Sequence, residues 1–280
     1  MDGIVLVDKE TGITTTGVDV KIKRTFGTSK VGHAGTLDPF ARGLVICGIN
    51  KGTKILTYLE SDTKTYVGIL KLGEKTDTGD LDGMVIKEKK PDFHSNEEIE
   101  KAMKSLMGKQ MQTPPMYSAV KLHGQPLYKY AREGIEVERV EREIEVLSFN
   151  LILYRPNNIT FEAKVSKGTY IRTLAESLAN KLKEVGHLTY LRRTRVGEFD
   201  LADAYTIDNV SEKSVIRIKD AIKFKQVNVK GKNLKAVENG NPITLDEKDE
   251  RILILDEYGL ERAIYYKDDE TNVYKCEKVF

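Results

Sequence analysis

Hydrophobic positions recur along this chain with two different spacings, which separate short strands from amphipathic helices. An apolar run at 4–7 and the alternation over 159–165 predict strands, because successive side chains of a strand point to opposite faces. Val18, Ile22 and Phe26 lie four residues apart, a spacing that predicts a helix, and Gly27 is expected to end it.

Further elements follow from the same two periods and from capping residues. Ser95 and Glu98 form a predicted capping box for a helix that Gly108 is expected to end. The other predicted elements are strands at 44–47 and 66–72, a helix over 53–59, and a helix over 174–182 that ends at Gly186 and carries Arg172 at its first turn.

The order of these elements predicts a mixed α+β fold. Strands and helices do not alternate regularly, so a largely antiparallel sheet flanked by helices fits better than a doubly wound parallel sheet. From about residue 224 the pattern changes to short β-like runs at 226–229, 251–255 and 262–266. We therefore predict a large domain over 1–223 and a small β-barrel domain over 224–280.

Composition narrows the class of protein. The 280 residues are 40% hydrophobic and 31% charged, which is ordinary for a globular chain. The sequence has neither an apolar run of about 20 residues nor a basic, apolar leader at its start, so we expect a cytoplasmic protein with no membrane association. Cys47 and Cys276 lie far apart and are expected to be free thiols.

The net charge of +2 hides a local segregation of charge. The segment from Lys213 to Lys235 contains eight Lys or Arg residues and only one acidic residue, Asp220. Such a segment would attract phosphates, and the alternative is that it is merely a solvated face.

One loop concentrates the candidate chemistry. In His33-Ala34-Gly35-Thr36-Leu37-Asp38-Pro39, the proline biases Asp38 towards extended geometry, and Gly35 allows a sharp turn before it. On the Asp-Pro dipeptide alone, a simple turn is the favoured interpretation.

Other blocks along the chain change that interpretation. They are Lys64-Thr65-Tyr66, Leu72-Gly73 with Thr76-Asp77-Thr78, Asp80 and Gly83, then the blocks 112–121, 128–134 and 166–174, and finally Leu191-Arg192-Arg193. Together with the Asp38 loop, and in this order, they resemble the TruB family of bacterial tRNA pseudouridine synthases. Ordered matches of this kind are far more specific than one short pattern.

The resemblance implies an activity and a set of site residues. It implies that the uridine at position 55 in the TΨC loop of tRNA is isomerised to pseudouridine, without cofactor or metal. Asp38 is then the catalytic residue, Tyr66 stacks on the base and assists C5 deprotonation, and Arg172 pairs with Asp38. Because the uridine must leave the stack, base flipping is expected, with His33 filling the vacated space.

The resemblance also implies how the RNA is bound. Tyr170 and Leu191 are expected to contact the substrate. The insertion at about 113–140 would act as a thumb over the tRNA, with Lys121, Lys129 and Arg132 on the RNA, whereas the alternative is a surface hairpin without a ligand. The C-terminal domain would be PUA-like. The expected partner is the T-arm of tRNA, and we expect a monomer that requires no protein partner.

Two other functions stay open at this point. The first is a non-catalytic chaperone that opens and refolds the tRNA elbow. The second is a glycosidase or nucleotide hydrolase, which would need a second carboxylate about 5 to 9.5 Å from Asp38, and no acid in the blocks is an obvious partner. Asp77, Asp80 and Asp82 lack the pattern of a calcium loop and are assigned to a structural turn. Asp38 itself could add to the base, attack C1′ or remove a ribose proton.

Overall fold

The computed structural model describes residues 1–60, 63–271 and 273–280. The strands in this part of the chain are, in order, β1 (Gly3–Lys9), β2 (Val31–Ala34), β3 (Arg42–Ile49), β4 (Thr63–Leu72), β5 (Glu74–Thr76), β6 (Val85–Glu88), β7 (Gly108–Gln112), β8 (Lys121–Leu122), β9 (Gln125–Pro126), β10 (Arg142–Arg155), β11 (Asn158–Ser166), β12 (Gly186–Val196), β13 (Phe199–Asp200), β14 (Tyr205–Thr206), β15 (Lys225–Asn228), β16 (Arg251–Leu255), β17 (Glu261–Lys267) and β18 (Tyr274–Val279).

The helices are fewer and mostly short. They are α1 (Thr15–Thr25), α2 (Leu56–Leu59), α3 (Asn96–Lys104), α4 (Leu127–Arg132), α5 (Ile171–Lys181), α6 (Ile218–Ala221) and α7 (Gly231–Glu238), with 3-10 turns at Asn50–Ile55, Leu201–Asp203, Ile207–Asn209 and Glu212–Ser214. Over the described residues, none of these helices combines the length and the apolar content needed to cross a membrane.

Ten of the described strands form one mixed sheet. Its main path runs β14-β1-β3-β12-β4-β11-β10-β7, with β2 on β3 and β13 on β12. The pairs β1–β14 and β3–β12 are parallel and the other pairs are antiparallel. The predicted α+β class with a largely antiparallel sheet is therefore confirmed.

Alternation along the strands gives the sheet two apolar faces. Val5 and Val45 belong to a core cluster with residues of α1, α3 and α5, whereas Leu6 and Leu44 belong to a second cluster that includes Leu253 from β16. Burial of both faces is what the near-continuous apolar runs of β1 and β3 require. The helices α1, α3 and α5 thus cover one face, and the C-terminal sheet, with α2 and α6, covers part of the other.

The C-terminal region differs from the predicted barrel. Its four strands form an open sheet in the order β15-β16-β17-β18, with β15 and β16 parallel. The three predicted strands are present, whereas β18 and α7 were not predicted. The predicted helix over 53–59 is divided between a 3-10 turn and α2.

Helix ends follow the predicted capping residues only in part. The Ser95–Glu98 capping box is present, but α3 ends at Lys104 and Gly108 begins β7 instead. The helix α5 ends at Lys181, and Gly186 lies in β12.

Candidate active site

The Asp38 loop connects β2 to β3 and is held by hydrogen bonds to its main chain. Arg193 Nη2 donates to the Gly35 carbonyl over 2.8 Å. The Thr15 hydroxyl accepts from the Leu37 amide over 2.9 Å and lies 3.1 Å from the Leu37 carbonyl oxygen, to which it donates. Gly35 has φ +70°, and a Cβ there would lie 3.1 Å from Lys64 Nζ, so this turn suits glycine on both counts. The loop therefore has a fixed path on both sides of Asp38.

Asp38 and Arg172 form the ion pair that the sequence led us to expect. Arg172 Nη2 donates to Asp38 Oδ1 over 3.1 Å, and Arg172 Nε lies 2.9 Å from Oδ2. The Arg172 side chain is 4% exposed, whereas that of Asp38 is 33% exposed. A buried guanidinium thus orients a carboxylate that solvent or a substrate can reach.

Arg172 also joins two further segments to Asp38. Its Nη1 donates to the Thr78 carbonyl over 2.8 Å, and its Nη2 donates to the Tyr117 carbonyl over 2.7 Å. The first turn of α5 supplies this side chain, as the helix pattern predicted. Removal of Arg172 would therefore leave Asp38 and two carbonyl groups without their donor.

Asp80 approaches the same guanidinium, which sequence reasoning missed. Asp80 Oδ2 lies 3.6 Å from Arg172 Nη1, while Oδ1 accepts from the Thr78 hydroxyl over 2.6 Å. Burial raises the pKa of Asp80 above its ordinary value. No acid in the blocks was an obvious partner of Asp38 in the sequence, and in the structure Asp80 shares Arg172 with it. Asp80 is 5% exposed, and its Oδ1 is occupied by the Thr78 hydroxyl and the Asp82 amide.

The second acid had a weak signal in the sequence. Asp80 stands in the 76–83 block, and the turn assigned to that block is present, with the Asp82 amide donating to Asp80 Oδ1 over 3.1 Å. The local pattern gives no indication that this turn packs against α5. No group of three or more His, Cys, Asp or Glu side chains in the described ranges is arranged to hold a metal ion.

Tyr170 lies beside the Asp38–Arg172 pair at the start of α5. The side chain of Gln112 accepts from the Tyr170 main-chain N–H over 2.8 Å and donates to the Tyr170 carbonyl over 3.1 Å. Burial raises the pKa of the Tyr170 phenol, and the Asp38 carboxylate acts in the same direction. Tyr170 therefore keeps a neutral hydroxyl.

Tyr66 and Leu191 lie on neighbouring strands of the sheet. Tyr66 on β4 is paired with Arg193 on β12, and Leu191 is paired with Gly68. Tyr66 is 7% exposed and belongs to the same hydrophobic cluster as Leu37 and Leu191. These two predicted site residues therefore form an apolar surface within the cluster that supports the Asp38 loop.

His33 lies in β2 and is bound to the helix α1. Its Nδ1 lies 2.7 Å from Asp19 Oδ2, and its Nε2 lies 3.3 Å from the Thr36 hydroxyl. The His33 side chain is partly exposed, whereas Asp19 is buried. Sequence reasoning missed Asp19, because a single polar position on a helix gives no signal of its tertiary partner.

The predicted RNA-binding cations lie on a hairpin and on the short helix that follows it. Lys121 begins the small β8–β9 hairpin, and Lys129 and Arg132 lie on α4. All three are exposed, and the Arg132 guanidinium lies 5.5 Å from the centroid of the Tyr128 ring. The segment is joined to the site through the Tyr117 carbonyl on Arg172.

A buried lysine at the end of β1 contacts the main chain of the Asp38 loop. Lys9 is 1% exposed, and its Nζ donates to the carbonyls of Glu10 (2.9 Å), Ile13 (2.8 Å) and Pro39 (3.2 Å). Burial lowers its pKa to about 8, although the Asp38 carboxylate acts in the opposite direction. Sequence reasoning did not select Lys9, since the end of a strand gives no sign of this burial.

Profiles of known families cover most of the chain. The TruB family pseudouridylate synthase N-terminal domain matches residues 23–171, and the tRNA pseudouridylate synthase B C-terminal domain matches residues 172–226. A tRNA pseudouridine synthase B of Mesoplasma florum is 38% identical over 279 residues, which are 99% of this chain and 97% of the relative. A tRNA pseudouridine synthase B of Opitutus terrae is 46% identical over 210 residues, which are 75% of this chain and 87% of the relative.

Solved structures resemble the fold at lower identity. The chain superposes on a protein in the crystal structure of a Cbf5-Nop10-Gar1 complex with a TM-score of 0.72 and 22% identity, covering 99% of this chain and 84% of the other. A chain from an H/ACA RNP bound to a substrate RNA containing 2′-deoxyuridine gives a TM-score of 0.70 at 21% identity, with the same coverage. At these identities the likeness concerns the fold.

Proposed function

The chain belongs to the TruB family of pseudouridylate synthases, and we propose that it isomerises the uridine at position 55 in the TΨC loop of tRNA, with Asp38 as the essential residue. The observation that carries this proposal is the Asp38–Arg172 pair, in which a buried guanidinium orients a partly exposed carboxylate. The names of the relatives, tRNA pseudouridine synthase B, support tRNA as the substrate.

The reaction breaks the bond from uracil N1 to ribose C1′ and forms a bond from C5 to C1′. The C5 proton is lost and N1 gains a proton, so the reaction involves neither net oxidation nor hydrolysis. An ionised carboxylate can act in it as nucleophile or base. Asp38 has the required exposure, and Arg172 holds both of its oxygens. A carboxylate placed in advance needs little reorganisation during the reaction.

The target base is turned out of the RNA stack before it reaches Asp38. In this proposal His33 fills the vacated space, Tyr66 stacks on the extruded base, and Leu191 supplies an apolar contact. The neutral Tyr170 hydroxyl, which faces the Ser118 side chain, would exchange that contact for the base or the ribose. The test for Tyr66 is Tyr66→Phe, which keeps the ring and removes the hydroxyl. Stacking alone leaves turnover unchanged, whereas a role in C5 deprotonation lowers kcat with little effect on KM.

The principal experiment measures release of tritium from tRNA labelled at uracil C5. Wild-type protein is expected to release the label, and Asp38→Asn is expected to release none, because a neutral amide is neither nucleophile nor base. Asp203→Asn, at an exposed acid, is the matched control and keeps full activity. Failure of the wild-type protein to release label from a tRNA with uridine at position 55 would reject the proposal.

The chaperone alternative is not favoured, because the matching families are named for the synthase reaction. The variant Asp38→Asn separates the two functions in cells. A synthase is inactivated by it, whereas a chaperone that only opens and refolds the tRNA elbow keeps its function.

The C-terminal sheet is proposed to be a PUA-like RNA-binding module within a domain over 224–280, next to the catalytic domain over 1–223. Exposed lysines on and before α7, at Lys230, Lys232 and Lys235, support contact with phosphates. Their joint replacement by Ala is expected to weaken tRNA binding and to reduce its salt dependence. Unchanged tRNA binding in this variant would mean that these lysines do not contact the RNA.

The protein is further proposed to act as a monomer in the cytoplasm, without a metal, cofactor or protein partner. The protein of the Cbf5-Nop10-Gar1 crystal structure was solved within a complex, which is a property of that protein. Light scattering of the purified chain, together with its activity in the presence of a chelator, tests these statements. A requirement for a second component would contradict them.

A further inference from the structure

The helix α1 presents two buried polar side chains to the loop that carries Asp38. Thr15 and Asp19 are one helical turn apart and therefore share a face. Thr15 holds the main chain of Leu37, next to Asp38, and Asp19 Oδ2 lies 2.7 Å from His33 Nδ1. One helix face thus supports the loop at both of its candidate functional side chains.

The Asp19 carboxylate is held on both of its oxygens. Oδ1 faces the Cys47 thiol, with Sγ at 3.9 Å, and Oδ2 faces His33. Burial raises the pKa of Cys47 well above its ordinary value, so the thiol stays protonated and can donate. Asp19 Oδ2 accepts a hydrogen bond from His33 Nδ1 in the tautomer that carries the ring proton on Nδ1. The Asp19 side chain is 11% exposed, which leaves it little freedom to move.

We propose that Asp19 is a positioning residue for RNA binding, which acts by fixing the ring of His33. This inference rests on the proposed function, in which His33 fills the space left by the extruded base. The hydrogen bond to Asp19 fixes the ring plane and turns Nε2 towards Thr36 and the outside of the loop. A ring that is held before binding loses less conformational freedom when RNA arrives.

The test is a double-mutant cycle on the full-length protein, measured as the Kd for a tRNA transcript with uridine at position 55. Asp19→Ala and His33→Ala are each expected to raise Kd roughly 10-fold, which corresponds to about 1.4 kcal/mol. Because Asp19 acts through His33, the double variant is expected to bind like His33→Ala alone, within about 2-fold. Asp19→Asn keeps an acceptor for Nδ1 and is expected to stay within about 3-fold of wild type.

Ile22→Val is the control for loss of stability. Ile22 is buried on the same helix, and its truncation lowers the free energy of unfolding by about 1 kcal/mol without contacting the loop polar groups. Its Kd is expected to equal that of wild type. The proposal is overturned if the single effects multiply in the double variant, if Asp19→Asn binds as weakly as Asp19→Ala, or if Ile22→Val weakens binding equally.

Failure of this inference can be told apart from failure of the proposed function. If wild-type protein releases tritium and the cycle is additive, only the role of Asp19 is rejected. If wild-type protein releases no tritium, the synthase proposal itself is rejected.

Discussion

At the scale of single residues, Arg172 makes the contacts on which the candidate site depends most. Its guanidinium is buried, and its donors reach Asp38, the Thr78 carbonyl and the Tyr117 carbonyl. A lysine has the same charge but only one nitrogen, so it cannot hold a carboxylate on two oxygens and also reach both carbonyls.

Arg172→Lys is therefore expected to impair both catalysis and folding. We expect kcat in the tritium-release assay to fall by about 10²-fold, because Asp38 loses its fixed orientation. The unfilled carbonyls lower the free energy of unfolding in urea by about 2 kcal/mol. Arg217→Lys, at an exposed arginine paired with Glu261, is the matched control and should change neither quantity. Full activity in Arg172→Lys would contradict the assigned geometry.

Lys9 gives a prediction about pH. Its pKa is lowered from 10.5 to about 8, so between these values the unfolded chain binds a proton that the folded chain has lost. Stability rises with pH wherever the unfolded state binds more protons, so this contribution is present above pH 10.5 and is lost as the pH falls through 8. From pH 7 to 10, wild type should gain up to about 3 kcal/mol relative to Lys9→Met. Urea titrations at each pH measure this difference, and parallel pH profiles would contradict the prediction.

The sequence predicted the residues with local signals and missed those defined by tertiary approach. Asp38 stands in a recognisable loop, and Arg172 stands at a predictable helix start, so their pairing could be expected. Asp80, Asp19 and Lys9 owe their roles to segments that meet only in the folded chain.

At the scale of elements, two helix ends show when a glycine is a reliable signal. After α1, the amides of Gly27 and Thr28 bond back to Arg24 and Lys23, and Gly27 has φ +58°. After α5, the amides of Lys183 and Glu184 bond back to Asn180 and Ala179 in the same pattern, and Lys183 has φ +61°. The sequence had predicted that Gly186 would end this helix.

Tertiary contacts of the next residue explain the ending of α5. Glu184 Oε1 accepts from the Asp92 amide over 2.9 Å and lies 2.8 Å from Lys89 Nζ and 3.2 Å from His94 Nε2. Because these contacts fix the position of the buried Glu184, the residue before it, Lys183, adopts the left-handed backbone conformation that a lysine ordinarily avoids. A local pattern has no access to such a constraint.

The conformation of Lys183 predicts a stabilising substitution. Lys183→Gly removes the strain of a left-handed residue with a Cβ, and we expect the free energy of unfolding to rise by about 0.5 to 1 kcal/mol. Gly27→Ala introduces that strain and is expected to lower it by about 1 kcal/mol. Lys183 is exposed, so little side-chain packing is lost. Urea denaturation measures both variants, and a loss of stability in Lys183→Gly would contradict the interpretation.

At the scale of the whole molecule, the ten-stranded sheet and the four-stranded C-terminal sheet share one apolar cluster. Ile4 and Ile46 from the large sheet belong to it, as do Leu253 and Ile264 from the small one. The sequence predicted an α+β chain with a β-rich C-terminal segment. Which face of the large sheet this segment covers depends on contacts between residues that are some 200 positions apart in the sequence.

The distribution of charge predicts how binding responds to salt. The net charge is only +2, so long-range attraction of RNA depends on local groups such as the exposed Lys121 and Lys129. Each lysine that neutralises a phosphate contributes about 0.7 to 0.9 to the slope of log K against log salt. The double variant Lys121→Ala, Lys129→Ala should therefore flatten that slope by about 1.5 in tRNA titrations. Lys101→Ala with Lys104→Ala on α3, outside the predicted footprint, should leave the slope as it is. An equal slope in both double variants would mean that the thumb does not contact RNA phosphates, and the basic residues near the C-terminal sheet would then have to supply the attraction.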